Sequence, residues 1–366
     1  MRLLHLAALH LDRAFGGLAF AGCDGSRRRA LLRQALEWAV DLALDQSAGA
    51  VVIAGDLFEQ EHVTADTVAF ITRQLGRLRC PVLITSGNHD AASAASPYRV
   101  ARWPANVVLA LESRPTTVDL GEVILVGLGY SGKDLSPSVL QRLPGRGPET
   151  RPRLLVVHGV DLDSASSEFK WGGLGLRAAD LDGLGFDHAL LGHVHAGGSG
   201  GRMSWPGSPV PLDPGETTGQ HGALWVDIED GRVVTTPVPA NLLHFESLTL
   251  DVSDIADSSE LAAAVGAMVS LLEGGKTALV SCRLTGRRPK TLAVDGSALG
   301  AQWSMAVLGL NVLDATVTEI DLHQLAREPT ARGSAVARLL EDGSAEALWA
   351  ARLVAEAFEG DIRVPV

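Results

Sequence analysis

Five short apolar runs, each leading into residues that bind divalent metals, constrain this chain more than any other feature of it. His10 lies in LHLAALHLD, Asp56 follows VVIAG, Asn88, His89 and Asp90 end LITSGNHD, His158 follows LLVV, and His193 and His195 sit in LLGHVH. Runs of Val, Ile, Leu and Ala this short read as buried strands, so the polar residues fall at strand ends. In an open α/β sheet the carboxyl edge is where ligands gather, which brings residues distant in sequence into one cleft. One carboxylate, one amide and four imidazoles fit two adjacent coordination spheres, with Asp56 as the bridge and His89 left free.

Each group has an ordinary structural reading beside the chemical one. A carboxylate at Asp56 gains little structurally from ending a buried strand, which favours ligation. A plain turn would explain Gly87 and Asn88 but not the two residues after them. Asn88 offers a neutral oxygen, His89 is placed to face substrate, and Asp90 is suited to orient the His89 ring and hold its tautomer. Alternation along an extended strand would put His193 and His195 on one side, within reach of two neighbouring metals. His5 reads as a satisfied core residue, and His62, His188, His221, His244 and His323 lack partners in the sequence. Trp171 and Trp205 read as packing residues.

The alternation of patterns describes the architecture. Strands are expected over residues 2–7, 50–54 and 81–85, with helices over 26–44 and 64–78 between them, the βαβ arrangement of a parallel sheet. Further strands are expected at 106–111, 123–128, 154–157 and 188–191, and a hairpin over 223–237 turning at Glu229, Asp230 and Gly231. After Pro239 the metal-binding patterns stop. Strands at 245–252, 277–284 and 312–320 and helices at 259–272 and 344–358 describe a smaller α+β domain. The expected division is therefore residues 1–240 and 241–366, the second capping or flanking the cleft.

The order GDxx, GNHD, HG, GHxH resembles the calcineurin-like metallophosphoesterases. The blocks HLxxLHLD, GDLFE, GNHD, GHVH and WPGSPVPLDPGETTGQHGALWVDI look, more narrowly, like those of the SbcD-type DNA repair exonucleases, over roughly residues 1–240. The resemblance implies an α/β fold, a sandwich of two sheets with helices outside. It implies two divalent ions, Mn²⁺ first, with Fe, Zn²⁺ and Mg²⁺ also compatible with these donors. One ion would take Asp56, Asn88, His158 and His193, the other His10, Asp56 and His195, with His89 and Asp90 in catalytic roles. DNA would be the substrate and an SbcC-type SMC-like ATPase the partner, a homodimer being one arrangement. The family opens with Asp-x-His, yet position 8 here is alanine, so the second ion lacks a carboxylate. Two rival readings are a phosphodiesterase or phosphatase for a small molecule, and a catalytically silent subunit that binds DNA or an ATPase.

Composition narrows the setting. A net charge of −12 argues against broad clamping of nucleic acid by the surface alone. Two local basic clusters, Arg27, Arg28, Arg29 and Arg33, and Arg283, Arg287, Arg288 and Lys290, read first as a solvated helix face and a solvated turn. Cys23, Cys80 and Cys282 are odd in number and far apart, which points to reduced thiols and the cytoplasm. No apolar stretch is long enough to predict a membrane span.

Overall fold

The computed structural model describes residues 1–16, 19–132, 135–148, 150–164, 173–216 and 219–359, so Trp171 lies outside the described residues. The chain divides into two compact units, residues 1–18 with 23–245, and residues 19–22 with 246–366.

The first unit runs β1 (Arg2–Leu6), α1 (Gly25–Asp45), β2 (Ala50–Ala54), α2 (Ala65–Leu75), β3 (Val82–Thr85), α3 (Pro97–Val100) and β4 (Val107–Ala110). It continues with β5 (Thr116–Asp119), β6 (Ile124–Leu128), β7 (Arg153–Asp161), β8 (Leu174–Leu176), α4 (Ala178–Leu184), β9 (His188–Gly192), β10 (Gly198–Gly200), β11 (Met203–Trp205), β12 (Gly222–Glu229) and β13 (Arg232–Pro239). One sheet has the order β13-β12-β1-β2-β3-β4, with β1 to β4 mutually parallel. The other has the order β10-β11-β9-β7-β6-β5, with β8 added beside β7. Side chains from both sheets meet in one core: Leu3, Val52, Ala54 and Leu83 from the first, Leu125, Leu154, Val156 and Leu190 from the second. Val51 and Ile53, which alternate with the core residues of β2, are buried as well. Both faces of the central strands are thus covered, as continuous apolar runs require.

Helix α1 forms because Asp24 caps it, accepting from the Arg27 amide at 2.8 Å, and because Leu32, Leu36, Ala39, Val40 and Ala43 bury one stripe. The hairpin between β12 and β13 turns on Asp230 (φ 48°) and Gly231 (φ 76°), the positive-φ pair a two-residue turn requires.

Four expectations change. Strand β7 does not stop before His158 but runs through it to Asp161. His193 and His195 do not share an extended strand, because β9 ends at Gly192 and His193 turns to φ 87°. Arg28 is not solvated: its guanidinium is buried, lies 3.8 Å over the Phe15 ring and donates to the Leu212 carbonyl. His5 is buried, and neither ring nitrogen makes a hydrogen bond of ordinary geometry among the described residues, the Leu191 backbone being its nearest polar neighbour.

Burial lowers His5 to about 3 and His188 to about 4, so both are neutral in the folded chain. Both would bind a proton near their ordinary value of 6.5 once unfolded. The unfolded state therefore holds more protons below that value, and stability falls with decreasing pH by about 1.4 kcal/mol per unit for each histidine until its folded value is reached. Thermal melts of His5→Leu between pH 7 and 5 should fall less steeply than those of the parent. Parallel curves would mean that His5 does not titrate on unfolding.

The second unit receives the chain through β14 (His244–Asp251), then α5 (Ser258–Ser270), β15 (Ala278–Thr285), β16 (Arg287–Arg288), α6 (Gly296–Trp303), β17 (Gly309–Asp314), β18 (Val317–Thr318), α7 (Leu322–Leu325), α8 (Ala331–Asp342) and α9 (Ala345–Glu359). Strands β14, β15 and β17 form a sheet covered by Leu261, Val265 and Val269 of α5. The single strand expected over residues 312–320 is two, because Asp314 accepts from both the amide and the hydroxyl of Thr316 and turns the chain. Helices α6 and α8 were not legible from apolar spacing; Asp295 and Thr330 cap them. None of the described cysteines forms a disulfide, and among the described residues no helix is long and apolar enough to cross a membrane.

Candidate metal centre

The pairing of β1 with β2 continues past both strand ends in irregular form. The amides of Ala8, His10 and Leu11 donate to the carbonyls of Gly55, Asp56 and Leu57 at 3.2, 2.9 and 3.1 Å. Ala8 (φ 49°), His10 (φ 45°), Asp56 (φ 54°) and His193 (φ 87°) all take left-handed backbone. Such residues cost of order 1–3 kcal/mol each and gather where a site is held in shape by its surroundings. Asp tolerates this conformation, whereas alanine has no side chain to support it. Space is equally tight: a Cβ on Gly192 would run into the Ala54 carbonyl, and one on Gly87 into Asp56.

This backbone brings all six expected donors together. Asp56 is buried, and its Oδ2 lies 3.2 Å from His158 Nε2 and 3.6 Å from His10 Nε2. On one side His158 Nε2 stands 2.9 Å from Asn88 Oδ1 and 3.2 Å from His193 Nδ1. On the other His10 Nε2 faces His195 Nε2 at 3.2 Å. His10, Asp56 and His89 also offer ligand atoms within 4.8 Å of one another. Ligands about 2.1 Å from an octahedral ion stand about 3.0 Å apart along its edges, close to these separations.

The outer edges of the rings decide where their protons sit. Nδ1–H of His10 donates to Glu59 Oε1, that of His195 to Glu216 Oε1, and that of His89 to Glu59 Oε2, each at 2.8 Å. His158 Nδ1–H donates to the Ala54 carbonyl at 3.1 Å. In neutral imidazoles held this way, Nε2 carries a bare lone pair. Three such nitrogens, a carboxylate oxygen and an amide oxygen then point at one another, an arrangement that repels itself unless a cation or a shared proton stands between; burial opposes a proton on His158, but Asp56 raises it. The donor set fits divalent metal, and a carboxylate behind a ligating histidine is the usual outer partner.

Charge follows the same geometry. Burial works to raise Asp56, but the imidazoles of His158, His10 and His89 outweigh it and hold the carboxyl well below its ordinary value. Burial likewise opposes the ionisation of Glu59, yet its two imidazoles bring it down to about 2. The hydrogen bond to Glu59 raises His89.

Asp90 does not orient His89. It is buried and accepts from the Gly87 and Leu57 amides at 2.6 and 2.7 Å and from the Tyr98 hydroxyl at 2.6 Å. It holds the turn that presents Asn88, and Glu59 takes the role expected of it. Glu59, Glu216 and Tyr130, whose hydroxyl donates to the His158 carbonyl at 2.8 Å, escaped sequence reasoning. Only Glu59, three residues after Asp56, left a local signal. His188 pairs with Ser204 and His221 with the Ser208 carbonyl.

A model of the family described as calcineurin-like phosphoesterase matches residues 1–197. The chain is 25% identical over 296 residues to a subunit of the nuclease SbcCD of Rhodobacter capsulatus, spanning 67% of this chain and 71% of that protein. It is 24% identical over 311 residues to the uncharacterized metallophosphoesterase YhaO of Bacillus subtilis, spanning 79% and 72%. It is 26% identical over 245 residues to the DNA double-strand break repair protein Mre11 of Methanopyrus kandleri, spanning 61% and 52%.

Proposed function

Since this chain belongs to the calcineurin-like phosphoesterase family, we propose that it is a two-metal phosphodiesterase whose substrate is DNA. We propose Mn²⁺ as the metal, a cytoplasmic setting, and action as the nuclease subunit of a repair complex with an SMC-like ATPase. The observation that carries the reading is the pair of donor sets meeting at Asp56 Oδ2, with ring protons drawn to the outer edges. Asp56, Asn88, His158 and His193 would hold one ion, and His10, Asp56 and His195 the other. When bound, such ions neutralise the oxygens of a phosphodiester and lower the pKa of water.

The remaining work falls to His89. Its ring is 40% exposed and leans on Glu59 through Nδ1, which leaves Nε2 as the edge open to substrate. A cationic imidazole there donates a proton to the departing alkoxide. The names of two relatives, a nuclease and a double-strand break repair protein, support DNA.

Ala8 supports one competing reading, that of a subunit which binds DNA or the ATPase without cutting. Position 8 is buried beside Gly55, next to Asp56. A carboxylate there would suit the left-handed backbone and complete the His10 and His195 set. Ala8→Asp should therefore raise Mn²⁺-dependent cleavage of a labelled linear duplex by at least about 10-fold, the lower bound for a disturbed metal shell. Turnover of bis-p-nitrophenyl phosphate with no cleavage of the duplex would replace DNA by a small-molecule substrate. Inertness of both chains towards both substrates would favour the silent subunit.

A further inference from the structure

A guanidinium stands at the rim of the donor cluster, and the turned backbone that places His10 places it as well. With His10 at φ 45° and Asp12 at φ 64°, the chain folds back and the Arg13 amide donates to the His10 carbonyl at 3.0 Å. The Arg13 side chain is 23% exposed, lies 3.6 Å from Glu59 Oε1 and donates to Asp213 Oδ2 at 2.9 Å. Glu59 is the carboxylate that holds both His10 and His89. Among the described residues no other arginine or lysine pairs with Asp56, Glu59 or Glu216. Arg28, a second cation nearby, is buried and occupied by the Leu212 carbonyl.

The partners of Arg13 limit what it can hold. Asp213 is 60% exposed, and an ion pair so open to water is worth little, so an incoming phosphate displaces it readily. The guanidinium fork takes the oxygens of a phosphate as it takes those of a carboxylate. Between Arg13 and Asp56 stand a Glu59 oxygen and the ring of His10, so its reach falls beside a phosphate held at Asp56 and not upon it.

We propose that Arg13 holds the phosphate next to the one being cleaved, and thereby selects a DNA strand over an isolated phosphodiester. This rests on the DNA reading above and names a residue that supplies its specificity. A chain of net charge −12 needs local cationic contacts to hold a polyanion, and each phosphate it neutralises releases counterions. A diester with a single phosphorus has nothing for Arg13 to bind.

Fluorescence anisotropy of a labelled linear duplex, titrated with the full chain in Mn²⁺ at several salt concentrations, tests the assignment. Arg13→Gln removes the charge and keeps a polar side chain. It should weaken duplex binding by about 10- to 100-fold at low salt, the span of one hydrogen bond to a charged group. The plot of log affinity against log salt should lose about one unit of slope, as for one phosphate contact. Arg13→Lys should keep the slope, because a charge remains, yet bind less tightly than the parent, because lysine has no fork. Dimethyl phosphate, which carries one phosphorus, should bind the parent and Arg13→Gln alike, read from the Mn²⁺ broadening of its phosphorus resonance. Equal affinity and slope in a parent and an Arg13→Gln chain that both bind the duplex overturn the assignment and leave the DNA reading standing. Loss of Mn²⁺ by Arg13→Gln, or an equal loss on both ligands, also overturns it, placing Arg13 at the donor cluster itself. A parent that does not bind the duplex overturns the DNA reading and the assignment with it.

Discussion

Asp56→Asn should abolish Mn²⁺ binding at working concentrations and reduce turnover by about 10⁴-fold, because one oxygen faces imidazoles of both proposed donor sets. Loss of even an outer partner typically lowers metal affinity about 10- to 100-fold, and loss of a shared ligand acts at both places. If each set is weakened about 100-fold and both ions are required, the effects multiply. The fold should survive. Asparagine tolerates the left-handed backbone at φ 54° and keeps an acceptor for the His89 amide, which donates to Asp56 Oδ1 at 3.0 Å. Circular dichroism and metal content, read together, separate these effects. Retention of both ions by a folded Asp56→Asn would remove Asp56 from the bridging position.

His89→Ala should behave in the opposite way, losing about 10² to 10⁴-fold in kcat while keeping its metal content, the range for a group that moves a proton in the transition state. The neighbouring ring of His10 lies edge-on at 4.8 Å between centroids, and both rings share Glu59. Removal of His89 therefore leaves Glu59 bonded to His10. Should the variant lose Mn²⁺, His89 belongs to the coordination shell, which its proximity to His10 and Asp56 would accommodate. A substrate with a better leaving group supplies a second readout. Bis-p-nitrophenyl phosphate needs less help in protonating the departing oxygen, so His89→Ala should harm its hydrolysis less than that of DNA.

Much of the site was legible in local patterns. Each donor lies at or near the end of an apolar run, and parallel strands share a carboxyl edge, so Asp56 and Asn88 had to approach one another on one sheet and His158 and His193 on the other, while the packing of the two sheets joined the pairs. The Asp-Gly turn between β12 and β13 was equally local, set by which residues accept positive φ. Elements that depend on side chains distant in sequence were harder to read. The break between β17 and β18 rests on a side chain of Asp314 turning back on Thr316.

Residue type and order within this chain were thus enough to determine the family and the residues that cluster, because these depend on chemical identity and strand-end placement. Tertiary structure alone decided which group stands behind each imidazole. Asp90 is adjacent to His89 in sequence yet faces the buried Tyr98, while Glu59 turns to two histidines 30 and 49 residues away. Glu216 reaches back across 21 residues to His195. Hydrogen bonds of this kind are selected by direction and distance in the folded chain, and neither is recorded in the spacing of residues along it.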